Sequence, residues 1–179
     1  MQEAFRQCLW KNFGAAIDML KSAVELCPDE LWQNEKKFFY LACHTAIFLD
    51  YYLTIPVREF SPLLPFTLVD ADKLPPEAVD DVIPNRLYSR QEIMDYLSVA
   101  RAKCKNLLTL PAADKLNSRW IEDDEINLHG LCPAIVENYT ILEILFYNLR
   151  HVQHHVAQLN VILRQKAGTA ADWVSLADD

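Results

Sequence analysis

Three of the chain's five histidines, His151, His154 and His155, stand within about one helical turn in the run RHVQHHVAQL. Residues four apart on an α-helix differ by only about 40° in direction, so His151 and His155 project side by side and can reach one metal ion. His154 is turned about 60° from His151 and about 100° from His155, and is expected to face solvent or to support the ligands rather than to bind the ion. The apolar residues Ile141, Leu145, Leu149, Val152, Val156, Leu159 and Leu163 define the inward stripe of this helix. His155 falls near that stripe and His151 at its edge.

Two imidazoles are one short of the three protein ligands that leave a divalent ion with an open position. The third candidate is His44, in the apolar run CHTAIFLDYYL, with Tyr40, Ile47, Phe48 and Tyr51 on its side of the helix. Facing helices commonly supply such ligands to one centre. His129, in an irregular stretch, is the spare. A plainer reading exists for each: a core histidine at 44, and a chance His-x3-His pair on a surface helix. On spacing alone both readings stand, although burying three imidazoles without a shared ligand leaves several polar atoms in need of partners. The zinc-protease motif H-E-x-x-H is excluded, because position 152 is Val and the general base of that mechanism is missing.

No carboxylate is placed by motif to act as a base. Asp50 and Glu143 lie on the same two helices but point away from the histidines, and are expected to be solvated or capping groups. Tyr40 and Asn148 neighbour His44 and His155 on the helical wheel, where packing or hydrogen bonding is expected of them. Three neutral imidazoles and an open position would let a divalent ion acidify a water or a thiol, so hydrolysis and thiol transfer are the two reactions within reach.

Four long helices are needed to position these residues. The first is predicted over about residues 2–26 and is ended by Pro28, which lacks an amide hydrogen and clashes with the preceding turn. A polar turn at 29–34 leads to the second helix, about 35–53, apolar on almost every side and therefore buried. Residues 54–88 hold six prolines (56, 62, 65, 75, 76 and 84) and must cross over in extended or short-turn form. The crossover carries Phe60, Leu63, Leu64, Phe66 and Leu68, so it is expected to pack. Ser89 with Glu92 forms a capping box that opens the third helix, which runs to about Leu110 and stops at Pro111. An irregular stretch containing Trp120 follows and, with the crossover, is placed to cover a pocket. Thr140 with Glu143 opens the fourth helix, which reaches about Lys166 before Gly168, and the tail with Trp173 is expected to dock back. The expected fold is all-α: a four-helix bundle, one domain over 1–179, with a long crossover between helices 2 and 3.

Composition narrows the functions available. The chain is 51% hydrophobic and carries a net charge of −8, without a basic stripe, which argues against nucleic acid as a partner. The five cysteines form no C-x-x-C pair and are expected to be reduced and mostly structural. No run approaches the ~18 uninterrupted apolar residues of a membrane span, and the N-terminus lacks the apolar run of a signal peptide. A soluble, cytoplasmic protein is expected.

The segment LRHVQHHVAQLNVILR resembles the final-helix motif of the DinB/YfiT-like metalloenzymes, in which an H-x3-H pair is often followed by Gly-Gln-Leu. Here HHVAQL has Ala157 in place of the glycine, a departure that bears on helix packing rather than ligation. CHTAIFLDYYL provides the earlier histidine of that pattern, His44, and Gln158 matches the family's common glutamine. The resemblance extends over nearly the whole chain in length and helix order, with its specificity concentrated around the histidines. It implies a four-helix bundle with one divalent ion, zinc or nickel foremost, held by His44, His151 and His155. It further implies a thiol S-transferase or hydrolase acting on a small-molecule substrate, with a low-molecular-weight thiol as co-substrate, and a homodimer. A non-catalytic metal-binding, dimerisation or stress-response protein is the alternative.

Overall fold

The computed structural model describes residues 2–109 and 115–178. The chain is mainly helical, with helices α1 (Gln2–Glu25), α2 (Asp29–Asn34), α3 (Lys36–Leu53), α4 (Arg90–Thr109) and α5 (Ile141–Ala167). α1 and α3 each pack against both α4 and α5, so the four long helices enclose a common core. α3 is the most deeply held: of the residues from Phe38 to its end, all but Tyr40 are buried. Trp10, Phe13, Ile17 and Leu20 of α1 complete the core from one side, and Val152, Val156, Leu159 and Leu163 of α5 from another. Cys27, Cys43 and Cys104 are buried as free thiols. Burial pushes the Cys27 thiol up to about 12, with Arg90 pulling weakly the other way, and drives Cys43 up as well.

Both capping boxes form. The Ser89 hydroxyl accepts from the Glu92 amide at 3.2 Å while Glu92 Oε2 accepts from the Ser89 amide at 2.8 Å. Thr140 and Glu143 exchange the same pair of bonds at the start of α5. At the far end of α5, Gly168 takes the left-handed conformation (φ 66°) that a side chain would strain, and its amide satisfies the carbonyl of Leu163. The predicted stop of the third helix at Leu110–Pro111 lies outside the described residues.

One expectation needs correction and another refinement. The segment 29–34 is not a polar turn but the helix α2. Pro28 precedes it as the N-cap, Asp29 and Glu30 complement its N-terminal dipole, and Trp32 is buried with its indole N–H donating to the Tyr88 carbonyl at 2.9 Å. The crossover contains an antiparallel pair of strands, β1 (Phe66–Leu68) and β2 (Val82–Pro84), in register Phe66↔Pro84 and Leu68↔Val82. The chain is thus mainly helical with one short hairpin. Prolines at 65 and 84 block a helix but leave extended backbone open, and Pro84 sits at the end of its strand, where a missing amide is tolerated.

The crossover packs only in part: Val57, Phe60, Leu64 and Val82 are buried, whereas Leu63 and Leu68 remain exposed. The stretch 115–140 is tied to the start of the crossover by Glu125. Its buried carboxylate accepts from the Arg58 amide (3.0 Å), the Arg58 side chain (2.9 Å) and the Glu122 amide (3.0 Å). The tail docks through Ala171 and Ala177, whose amides reach Asn160 Oδ1 and the Lys11 carbonyl, while Trp173 itself stays 74% exposed. No helix among the described residues is long and apolar enough to cross a membrane.

Candidate metal centre

α3 and α5 lie side by side, and their contact brings His44 to His151 and His155. His151 Nε2 stands 2.9 Å from His44 Nε2 and 3.0 Å from His155 Nε2. Each of the three residues offers a ring nitrogen within 4.8 Å of the others. The burial follows the helical wheel: His155 is 7% exposed, His151 half-buried and His154 exposed. His154 packs its ring 5.1 Å from His155 but stays outside the group of three. His129 is elsewhere, with Nε2 3.1 Å from the Val57 carbonyl and its ring against Phe60.

The outer nitrogens determine what the inner ones can do. His155 Nδ1 lies 2.7 Å from Gln158 Oε1, which can only accept, so the proton of a neutral ring sits on Nδ1. His44 Nδ1 lies 2.9 Å from Asp80 Oδ2. The N–H there is not aligned for a linear hydrogen bond, yet a carboxylate at this distance still favours the protonated Nδ1. Both rings therefore direct an Nε2 lone pair toward His151. His151 Nε2 can donate at most one proton, so it cannot satisfy both. A cation shared by the three nitrogens can.

The donor set fits a divalent ion. Nitrogens held about 2.0–2.1 Å from a tetrahedral zinc are roughly 3.3–3.4 Å apart. The two separations to His151, 2.9 and 3.0 Å, need to open by only a few tenths of an ångström, and the His44 and His155 donors lie within 4.8 Å of each other. Burial pushes the His151 ring down to about 2, with His44 and His155 adding to the effect. Burial and His44 lower His155 to about 4, against the hydrogen bond it donates to Gln158, which raises it. Both rings are neutral near pH 7, the state a metal requires. His151 Nδ1 is buried without a hydrogen-bond partner among the described residues, and it has neither the carboxylate contact of His44 nor the hydrogen bond of His155. Aromatic rings close the flank of the cluster. Phe48 lies 4.6 Å from His44, Tyr147 stacks on His151 at 9°, and Tyr52 meets His151 edge-on.

Sequence reasoning placed the three histidines and suspected Gln158, but missed Asp80. Asp80 lies in the crossover, where no periodicity tells which side chains face the helices. Asp50 was expected to be solvated or capping, and is neither. It is 5% exposed, with Oδ2 accepting from the Tyr96 hydroxyl at 2.8 Å and Oδ1 from Lys103 at 2.6 Å. Packing of α4 over α3 buries this carboxylate and brings the donors it needs. Glu143 is the capping group it was expected to be. Asn148 donates to the Leu49 carbonyl at 3.0 Å and Tyr40 packs on Phe39, so both serve packing. Trp120 is buried beneath Tyr51 and Tyr52, a core residue rather than a cover for the site.

Comparison with protein-family models, with curated proteins and with solved structures finds no match for this chain. The geometry of the three histidines is therefore what carries a functional reading.

Proposed function

We propose that this chain is a divalent-metal protein of the DinB-like kind, with His44, His151 and His155 as its ligands, acting on a small molecule as a thiol S-transferase or hydrolase. The observation that carries the reading is that His151 Nε2 lies 2.9 and 3.0 Å from the Nε2 atoms of His44 and His155, with ring nitrogens of all three within 4.8 Å, while the outer nitrogens of two rings face Asp80 and Gln158. A bound zinc or nickel ion supplies Lewis acidity that makes a thiol or a water nucleophilic near neutral pH.

The chain's own residues favour the thiol. Asp80 is the carboxylate that reaches the cluster, and it is already engaged with His44 and with the Val82 amide. No other carboxylate among the described residues forms an ion pair with the three rings. A thiol, with an ordinary pKa of about 8.5, needs less help to ionise than water does. Tyr147 and Leu149 line the cavity beside His151 and give it an apolar wall suited to an organic substrate. The same proposal reads the four long helices as one bundle domain with a crossover, located in the cytoplasm and pairing as a homodimer. The non-catalytic alternative shares the ligands and differs in lacking turnover.

Elemental analysis of untagged protein, with His44→Ala and His155→Ala variants alongside, tests the centre. The expected result is about one ion per chain, lost in both variants. Metal-free protein that also fails to take up added zinc or nickel would sink the reading. Turnover of a thiol and an electrophile by the loaded protein separates the enzyme from the binding protein.

A further inference from the structure

Asp80 connects the crossover hairpin to the histidine cluster. Its two oxygens have separate tasks: Oδ1 accepts from the amide of Val82, the first residue of β2, at 3.1 Å, and Oδ2 faces His44 Nδ1 at 2.9 Å. An ionised carboxylate accepts at both oxygens, so Asp80 can hold the Val82 amide through Oδ1 while the charge on Oδ2 favours the proton on His44 Nδ1 without an aligned hydrogen bond. The tip that precedes it has little other anchorage. Ala71, Asp72, Lys73, Leu74 and Glu77 are exposed. The backbone bonds of the tip are local, from Lys73 to Asp70, Ala78 to Pro75 and Val69 to Asp81. Few buried contacts and local hydrogen bonds describe a segment that opens easily.

Resting on the three-histidine centre proposed above, we infer that Asp80 is its positioning residue and couples metal binding to the seating of residues 70–80. Ligation through Nε2 requires His44 with its proton on Nδ1, and this is the form that faces Asp80. Each event thus favours the other, by the reciprocity of linkage. The outer carboxylate of a ligating histidine also orients the ring.

Asparagine at this position makes a sharp test, because an amide offers one acceptor and one donor where the carboxylate offers two acceptors. Asp80→Asn must either turn its NH2 toward His44 Nδ1, forcing the proton onto Nε2, or turn it against the Val82 amide. The full-length wild type, Asp80→Asn and the neighbouring control Asp81→Asn would be compared by zinc affinity in chelator competition and by tryptic cleavage after Lys73 with and without zinc. Nitrogen-15 shifts of the His44 ring would report the tautomer. For Asp80→Asn the expected zinc affinity is about 10- to 100-fold weaker, with zinc protection at Lys73 lost and the His44 proton moved toward Nε2. Wild type and Asp81→Asn should retain all three properties. If Asp80→Asn also melts lower without metal, its zinc-induced rise in melting temperature is compared with that of wild type, and a smaller rise is expected. An equal rise, or equal affinity with undiminished protection, would overturn the role of Asp80 and leave the centre standing. A wild type that binds no zinc would remove the centre itself.

Discussion

At the residue scale, the three imidazoles differ in what supports them. His44 has a carboxylate behind it, His155 an amide oxygen, and His151 only aromatic rings. An outer acceptor fixes the tautomer and raises the basicity of the ligating nitrogen, so these partners contribute to affinity without touching the ion. Gln158→Ala should therefore weaken zinc binding by about tenfold, whereas Gln158→Glu, which keeps an acceptor oxygen, should bind zinc at least as tightly as wild type. Chelator competition at fixed pH measures both. Gln158 is on the exposed side of α5, so neither change should disturb the fold.

At the element scale, the register of α5 determines whether His151 and His155 face α3. Thr140 and Glu143 define where that helix begins, and Gly168 where it ends. Thr140→Ala removes the hydroxyl that accepts the Glu143 amide and should lower stability by about 1 kcal/mol in denaturant unfolding. Zinc stoichiometry should not change, since core packing along the rest of the helix holds its register. Glu125 acts between elements, joining the 115–140 stretch to the crossover. Burial alone would raise its carboxyl, but the amides of Glu122 and Arg58 and the Arg58 guanidinium outweigh this and hold it below the ordinary carboxylate range. A carboxylate lowered in the folded state lends stability above its unfolded pKa and loses it as pH falls through the folded one. Wild type should thus lose stability below pH 4.5 more steeply than Glu125→Gln. At neutral pH that variant should already be weaker by about 1–3 kcal/mol, having lost charge-assisted bonds to a buried group. Denaturant midpoints across the acid range check both expectations.

At the scale of the whole molecule, the C-terminal tail closes over α1. Gly14 leaves the space for it: a methyl group there would lie 2.7 Å from the Ala177 side chain and 3.0 Å from the Trp10 ring. The tail can lift more easily than the buried indole can move. Gly14→Ala should therefore release the tail, seen as lost hydrogen-exchange protection of the Ala177 amide, with the four long helices still folded.

The sequence by itself determined what depends on near neighbours along the chain. The four long helices, their capping boxes, the pairing of His151 with His155 and the outward turn of His154 all follow from periodicity and from bonds within one or two turns. It also marked His44 as a histidine on a buried face, because α3 is apolar on almost every side. What it could not specify were contacts made across space by residues with no periodic signal. Asp80 reaches His44 from an irregular crossover, Asp50 is buried by the donors of α4, and α2 forms where a short polar segment reads as a turn. The strands of the hairpin are only three residues long, too short to show alternation. Only the packing of α3 against α5, with the crossover folded over them, decided that three histidines share one point in space, since the free energy of that meeting lies in tertiary burial rather than in local propensity.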